Sequence, residues 1–250
     1  MGGVSPRPYQ NQLNPEHGPP PSPESRRAQA EKIRNLLVRY SRRPLTTLNC
    51  LDIGCFSGLM TAELAPLFRA TCGVDYDWHG LRDARPNPGH GLDFVRADAM
   101  RLPFRDAAFQ LVLCTHTHEH VPDDRLLFRE MHRVLEPGGL AFLSAPNWLF
   151  PIEPHYFVPF LHWLPARMAD HRLQRLGGPP HYYERMRTWW GLRRELRGFD
   201  ILDLTPEVAR GELMARRGIA ARVGGSLPQP ILRLLTPLMP SFNLLLTRRA

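Results

Sequence analysis

The run His116-Thr117-His118-Glu119-His120 places three imidazoles and a carboxylate within five residues, directly after an apolar stretch, Phe109 to Thr115. Imidazole titrates near neutrality, so a histidine held beside a hydroxyl can take its proton. His155, in Glu153-Pro154-His155-Tyr156, stands in a later segment dense in aromatic residues. His120 is the foremost candidate for a catalytic base, with Glu119 and His155 as its companions.

A second constellation lies upstream. Leu51-Asp52-Ile53-Gly54-Cys55-Phe56-Ser57-Gly58 follows an apolar run and opens a helical pattern, the position at which α/β proteins bind ligands. A dinucleotide fingerprint would require glycine at 54, 56 and 59, but the chain has Gly54, Phe56 and Leu59. Nicotinamide and flavin dinucleotides are therefore disfavoured. S-adenosylmethionine carries no phosphate, and a tight turn flanked by Gly54 and Gly58 would let the backbone pass close to it. Asp75, 21 residues beyond Gly54 and at the end of the next apolar run, can accept from both hydroxyls of a ribose. Asp98 follows the third run and can accept from an adenine amino group. Singly, each acid could be a helix cap or a turn residue. Three acids, each at or just after the end of a successive strand, are harder to explain as capping.

The elements that must hold these groups alternate. Apolar runs at Leu48 to Ile53, Ala70 to Val74, Leu92 to Arg96, Phe109 to Thr115 and Leu140 to Ala145 are separated by helical patterns such as Asp123 to Val134. This predicts a doubly wound α/β fold, a parallel sheet with helices on both faces. Ile33, Leu36, Leu37 and Tyr40 recur at helical spacing within Ser25 to Tyr40, which predicts a helix against the sheet or over the site. Residues 1 to 23 are rich in proline and form a leader expected to be disordered, leaving one domain over 24 to 250. Residues 147 to 182, rich in Trp, Phe, Tyr, His and Pro, form an insertion that covers the substrate. A helix at Tyr183 to Leu196 and strands at Phe199 to Leu204 and Asn243 to Arg248 complete the order.

The chain has 250 residues and a formal net charge of +8, but Lys32 is its only lysine and the arginines are scattered. Scattered arginines, at most two adjacent, argue against a nucleic-acid surface. The four cysteines have no CxxC spacing and fall in or beside apolar runs, as reduced core thiols do. No basic segment precedes an apolar stretch at the N-terminus, and no window is apolar enough to span a bilayer. A cytoplasmic protein is the expectation.

The stretches LDIGCFSG, GVDYD, RADAMRLPFRDAAFQLVLCTHTHEHVPD, REMHRVLEPGGLAFLSAPN and NLLLTRR resemble, in that order, the class I S-adenosylmethionine-dependent methyltransferases, particularly the group with the ubiquinone and menaquinone biosynthetic enzymes. The resemblance implies a Rossmann-like seven-stranded sheet with the last strand antiparallel and S-adenosyl-L-methionine as cofactor. It implies that Asp52, Gly54, Cys55, Phe56 and Gly58 meet the methionine part, and that Asp75 with Tyr76 holds the ribose. Asp98 with Ala99 would frame the adenine, with Thr115 nearby on the fourth strand. Phe56 departs from the glycine usual there.

Glu119-His120 further resembles the end of a Glu-x-x-Glu-His motif with which catechol-type and RNA-end methyltransferases hold a divalent ion. His116 stands where the first Glu would be, which shifts such a site from magnesium-like towards zinc- or manganese-like. His116, Glu119, His120 and His155 are thus the candidate ligands. The reading preferred is that Glu119 and His120 order a loop and hold no metal. The aromatic insert resembles segments of enzymes with sugar-bearing or lipid-linked acceptors, so O-methylation of a small metabolite or glycolipid-type precursor is expected. A catalytically inactive cofactor-binding regulator is the alternative. Ile231 to Met239 could touch a bilayer surface or another subunit, but Pro237 and Pro240 favour core packing.

Overall fold

Neighbouring residues of β1 (Asn49–Ile53) serve opposite faces of one sheet: Cys50 packs with Ile33, Leu36 and Leu37, whereas Leu51 and Ile53 pack with Leu127, Met131 and Val134. This is the two-residue period of a strand buried on both sides. Leu111 and Leu113 likewise face the first cluster, and Val112 and Cys114 the second, along β4 (Phe109–Thr115). The structure is a computed structural model that describes residues 22–84, 86, 91–211 and 227–249.

The other strands are β2 (Ala70–Asp75), β3 (Leu92–Arg96), β5 (Leu135–Pro146), β6 (Phe199–Asp203) and β7 (Ser241–Arg248). They form one seven-stranded sheet in the order β3-β2-β1-β4-β5-β7-β6. β3, β2, β1, β4 and β5 pair in parallel, and β7 runs antiparallel to both β5 and β6. This is the expected doubly wound α/β architecture with its last strand reversed. The order also turns at β1 and β4, so their carboxyl ends border the crevice where such sheets take ligands.

Helix α1 (Pro23–Tyr40) covers one face and packs beside α2 (Leu59–Leu64). Its start is set by Ser22, whose hydroxyl accepts the Ser25 amide, with proline at the first turn. The expected leader lies outside the described residues up to position 21, but its last residue, Pro23, is helical rather than disordered. Lys32 is buried in α1, donates to Asn243 Oδ1 of β7 at 2.9 Å and lies over the Phe142 ring. Burial pulls its amine down to about 8.

On the other face, α4 (Asp124–Val134) buries Leu127, Phe128, Met131 and Val134, the spacing of one helical stripe. The next expected helix, Tyr183 to Leu196, is shorter in the structure. Here α6 is Trp189–Glu195, begun by Thr188, whose side chain accepts the Gly191 amide. Before it the chain is extended: Arg187 bridges to Asn147 and its guanidinium pairs with Asp124. That ion pair and the Thr188 cap override the helical propensity of 183 to 187.

Residues 147 to 182 contain α5 (Ala166–Arg175) and a small core of their own, built on Val158, Leu161, Ala169, Leu173 and Tyr182. Ile231 to Met239 is less buried than core packing requires. Leu232 and Thr236 face inward, while Ile231, Leu234 and Leu238 are exposed. Among the described residues no helix is long and apolar enough to cross a membrane.

Candidate active site

The turn between β1 and α2 is tight because two glycines adopt positive φ, +78° at Gly54 and +70° at Gly58. A Cβ on Gly54 would lie 2.2 Å from Thr117 Oγ1, so the loop after β1 and the loop after β4 touch there. The Gly54 and Cys55 amides both donate to Val74 O of β2. Phe56 has a φ of +49°, unusual for a residue with a side chain. Its ring lies against Gly80 of α3 (Trp78–Asp83), which has no Cβ to obstruct it.

Asp75 closes β2 and explains how that loop is held. Its Oδ2 accepts the Phe56 amide at 2.7 Å and its Oδ1 the Asp77 amide at 2.9 Å. Burial raises its pKa, against the effect of these bonds. Each carboxylate oxygen keeps a lone pair for a further donor. Tyr76 follows, with the Arg96 guanidinium over its ring. Asp98, just past β3, accepts the Met100 amide at 2.7 Å, and Ala99 beside it is buried. Both acids therefore order their local turns as well as standing at the strand ends.

Asp52 is wholly buried. Thr61 of α2 donates to its Oδ2 at 2.6 Å, while Oδ1 has no hydrogen-bond partner. Burial pushes its carboxyl up to about 6, against the Thr61 bond and the Arg26 charge. Sequence reasoning did not find Arg26, on the first turn of α1, whose burial lowers its pKa against the pull of Asp52 and Asp75. Nothing in the local sequence marks it, since it is one arginine among many until α1 docks. Thr61 and Thr117 were missed for the same reason.

After β4 the chain turns sharply. Thr115 ends the strand, buried, and His116 takes a φ of +52° while its amide donates to Ser144 O of β5. The short turn His118–His120 follows. Glu119 has no exposed surface and sits among four imidazoles from two parts of the chain. His118 Nδ1 is 2.9 Å from Oε2, while His116 Nδ1, His155 Nε2 and His120 Nε2 lie 3.4, 3.8 and 4.0 Å from Oε1. Burial alone would raise the Glu119 pKa, but His118, His116 and His120 hold it well below the ordinary range.

His155 is brought in by the insert and is braced by Glu153, whose Oε1 is 2.7 Å from His155 Nδ1. Burial lowers the His155 pKa, but Glu153, Glu119 and Glu184 outweigh it and hold the ring up at about 9. His120 stands edge-on to His155 and, through burial, falls to about 4. Arg185 ties the extended segment before α6 across this cluster, its amide donating to Glu119 O and its guanidinium to Pro122 O. The structure thus brings together all four residues of the histidine and glutamate set, and places Asp52, Asp75 and Asp98 at or next to the carboxyl ends of β1, β2 and β3, along the same edge of the sheet.

The family described as a methyltransferase domain matches residues 51–143, from β1 into β5. An uncharacterized methyltransferase of Mycobacterium leprae (strain TN) is 38% identical over 130 residues, which are 51% of this chain and 48% of that protein. Among solved structures, an S-adenosylmethionine-dependent methyltransferase from Mesorhizobium loti aligns over 85% of this chain and 96% of its own, with a TM-score of 0.58 and 18% identity. Residues 51–143 are thus similar to a methyltransferase domain, on a fold shared with a solved S-adenosylmethionine-dependent methyltransferase. It spans about half the length of the curated relatives it matches. The cyclase SpnF also aligns, over 88% of this chain and 82% of its own, with a TM-score of 0.54 and 19% identity. The fold is therefore shared with a protein named for a different reaction, and the acceptor chemistry has to be argued from the site.

The glycine loop, Asp75, Asp98 and His116 to His120 all fall in the matched span. Glu153, His155 and the insert lie beyond it.

Proposed function

We propose that this chain is an S-adenosylmethionine-dependent methyltransferase that methylates a hydroxyl of a small, amphipathic or sugar- or lipid-linked acceptor. The observation that carries this reading is the convergence of the Gly54–Gly58 turn, Asp75 and Asp98 on the strand ends that also present His120. The residues fit the cofactor. Asp52 Oδ1 lacks a donor, and Asp75 and Asp98 keep accepting capacity beyond the amides they already hold.

Bound there, the cofactor supplies a methyl group already activated by a sulfonium, so the chain's task is to align the acceptor and handle its proton. Asp75 would accept from ribose hydroxyls and Asp98 from the adenine amino group. His120, neutral at neutral pH because burial holds it down, can accept a hydrogen from the acceptor hydroxyl. Trp148, Phe160 and Trp163 form an aromatic group on the insert, each more than a third exposed, which suits an acceptor with an apolar portion. The packed core of the insert also supports a covering role.

Calorimetric titration with S-adenosylhomocysteine, beside an Asp75→Ala variant, tests the reading. Micromolar binding that the variant loses is the expected result, followed by transfer of labelled methyl to hydroxyl-bearing acceptors. Absence of binding by the unmodified chain would overturn it.

A further inference from the structure

Glu119 presents a chemical problem that its neighbours only partly solve. Its carboxylate is fully buried, with His118 and His116 at 2.9 and 3.4 Å as ion-pair partners but no hydrogen bond of good geometry at either oxygen. Buried charges of this kind are paired, hydrogen-bonded or bound to metal. The nitrogen and oxygen atoms offered by Glu119, His120 and His155 all lie within 4.8 Å of one another. Ligands about 2.1 Å from a tetrahedral ion stand about 3.4 Å apart. The separations from Glu119 Oε1, 3.8 Å to His155 Nε2 and 4.0 Å to His120 Nε2, need to close by well under an ångström.

The surrounding shell is already built. Glu153, itself fully buried, directs Oε1 at His155 Nδ1, while its Oε2 accepts the His155 and Tyr156 amides at 2.8 and 2.6 Å. This fixes which ring nitrogen faces Glu119, as a carboxylate behind a histidine ligand does in metal centres. His118, also fully buried and stacked on Phe128, stands against Oε2 and leaves Oε1 to the other rings.

We propose that Glu119 Oε1, His120 Nε2 and His155 Nε2 bind a single divalent first-row transition ion, zinc rather than magnesium. Two imidazoles and one carboxylate suit a borderline ion, whereas magnesium prefers an oxygen octahedron. Three protein ligands leave a fourth position open. The ion would supply Lewis-acid polarisation of an acceptor hydroxyl, whose proton would then leave to solvent because His120 Nε2 would be a ligand and not the acceptor. This use of the ion rests on the proposed O-methylation, whereas its binding does not.

Titration of the chelator-treated full chain with Co²⁺ tests the site through the visible band of a tetrahedral ion. One ion per chain, displaced by Zn²⁺, is expected. Glu119→Gln and His155→Ala should abolish the band, and Glu153→Gln should weaken affinity by about 10–100-fold. His171→Ala, exposed on α5, should leave it. Should Glu119→Gln fail to fold, His155→Ala, on the insert, carries the test alone. No band, or a band that persists in His155→Ala, would overturn the proposal. S-adenosylhomocysteine binding measured on the same sample separates the two readings: intact binding without an ion removes only the metal site.

Discussion

The Asp75 carboxylate accepts the Phe56 amide at 2.7 Å, so the acid that ends β2 also fixes the loop that follows β1. Two backbone amides, Phe56 and Asp77, depend on that one side chain. Asp75→Ala should therefore lower stability by about 1–3 kcal/mol even without ligand. Urea unfolding of the cofactor-free protein measures this. An unchanged midpoint would show that water replaces the carboxylate at no cost.

Phe56 and Gly80 should be coupled. An added Cβ at Gly80 meets the Phe56 ring at 2.5 Å, which predicts that Gly80→Ala costs about 1–3 kcal/mol. In a Phe56→Gly background the same change should be neutral or stabilising, since alanine is the better helix former. Additive effects in the double-mutant cycle would mean that the ring does not need the space.

Asp52 predicts a pH dependence. Its folded pKa, about 6, lies above its ordinary value of 3.8, so the folded state binds the proton more tightly than the unfolded chain. Its contribution is intact below about pH 4 and is lost as pH rises through about 6, by about 3 kcal/mol. Thermal melts of the cofactor-free protein and Asp52→Asn across that window should show the variant gaining on the parent as pH rises. Parallel curves would contradict the assignment.

Arg187 holds the extended segment before α6 through its pair with Asp124, itself mostly buried. Arg187→Ala should destabilise by about 2 kcal/mol, less than a fully buried pair because the guanidinium is partly exposed. Hydrogen exchange should also quicken at Arg185, whose amide reaches Glu119 O. Unchanged exchange there would separate the ion pair from the cover over the cluster.

The strands were legible because each is a short apolar run ended by polar or turn residues, and the reversed last strand because the whole motif series matched one family. The acids at or near the ends of β1, β2 and β3 were legible for the same reason: strand ends are places the sequence marks. Helix α6 was misjudged at its start because 183 to 187 carries residues compatible with a helix, and only Asp124, far away in sequence, pulls Arg187 out of one. Arg26 and Glu153 carried no signal of function. Each acquires its role from a partner supplied by another element, Asp52 and Asp75 for Arg26 and the insert's own turn for Glu153.

The hydrogen bond from Lys32 to Asn243 joins residues 211 positions apart, α1 at one end of the described chain and β7 at the other. During synthesis at about 5–20 residues per second, α1 therefore emerges about 10–40 s before the strand that receives its lysine. Through that interval Ile33, Leu36 and Leu37 have no completed sheet face to cover them. Until β7 is made, the nascent chain thus carries in α1 an uncovered apolar face open to aggregation and chaperone capture.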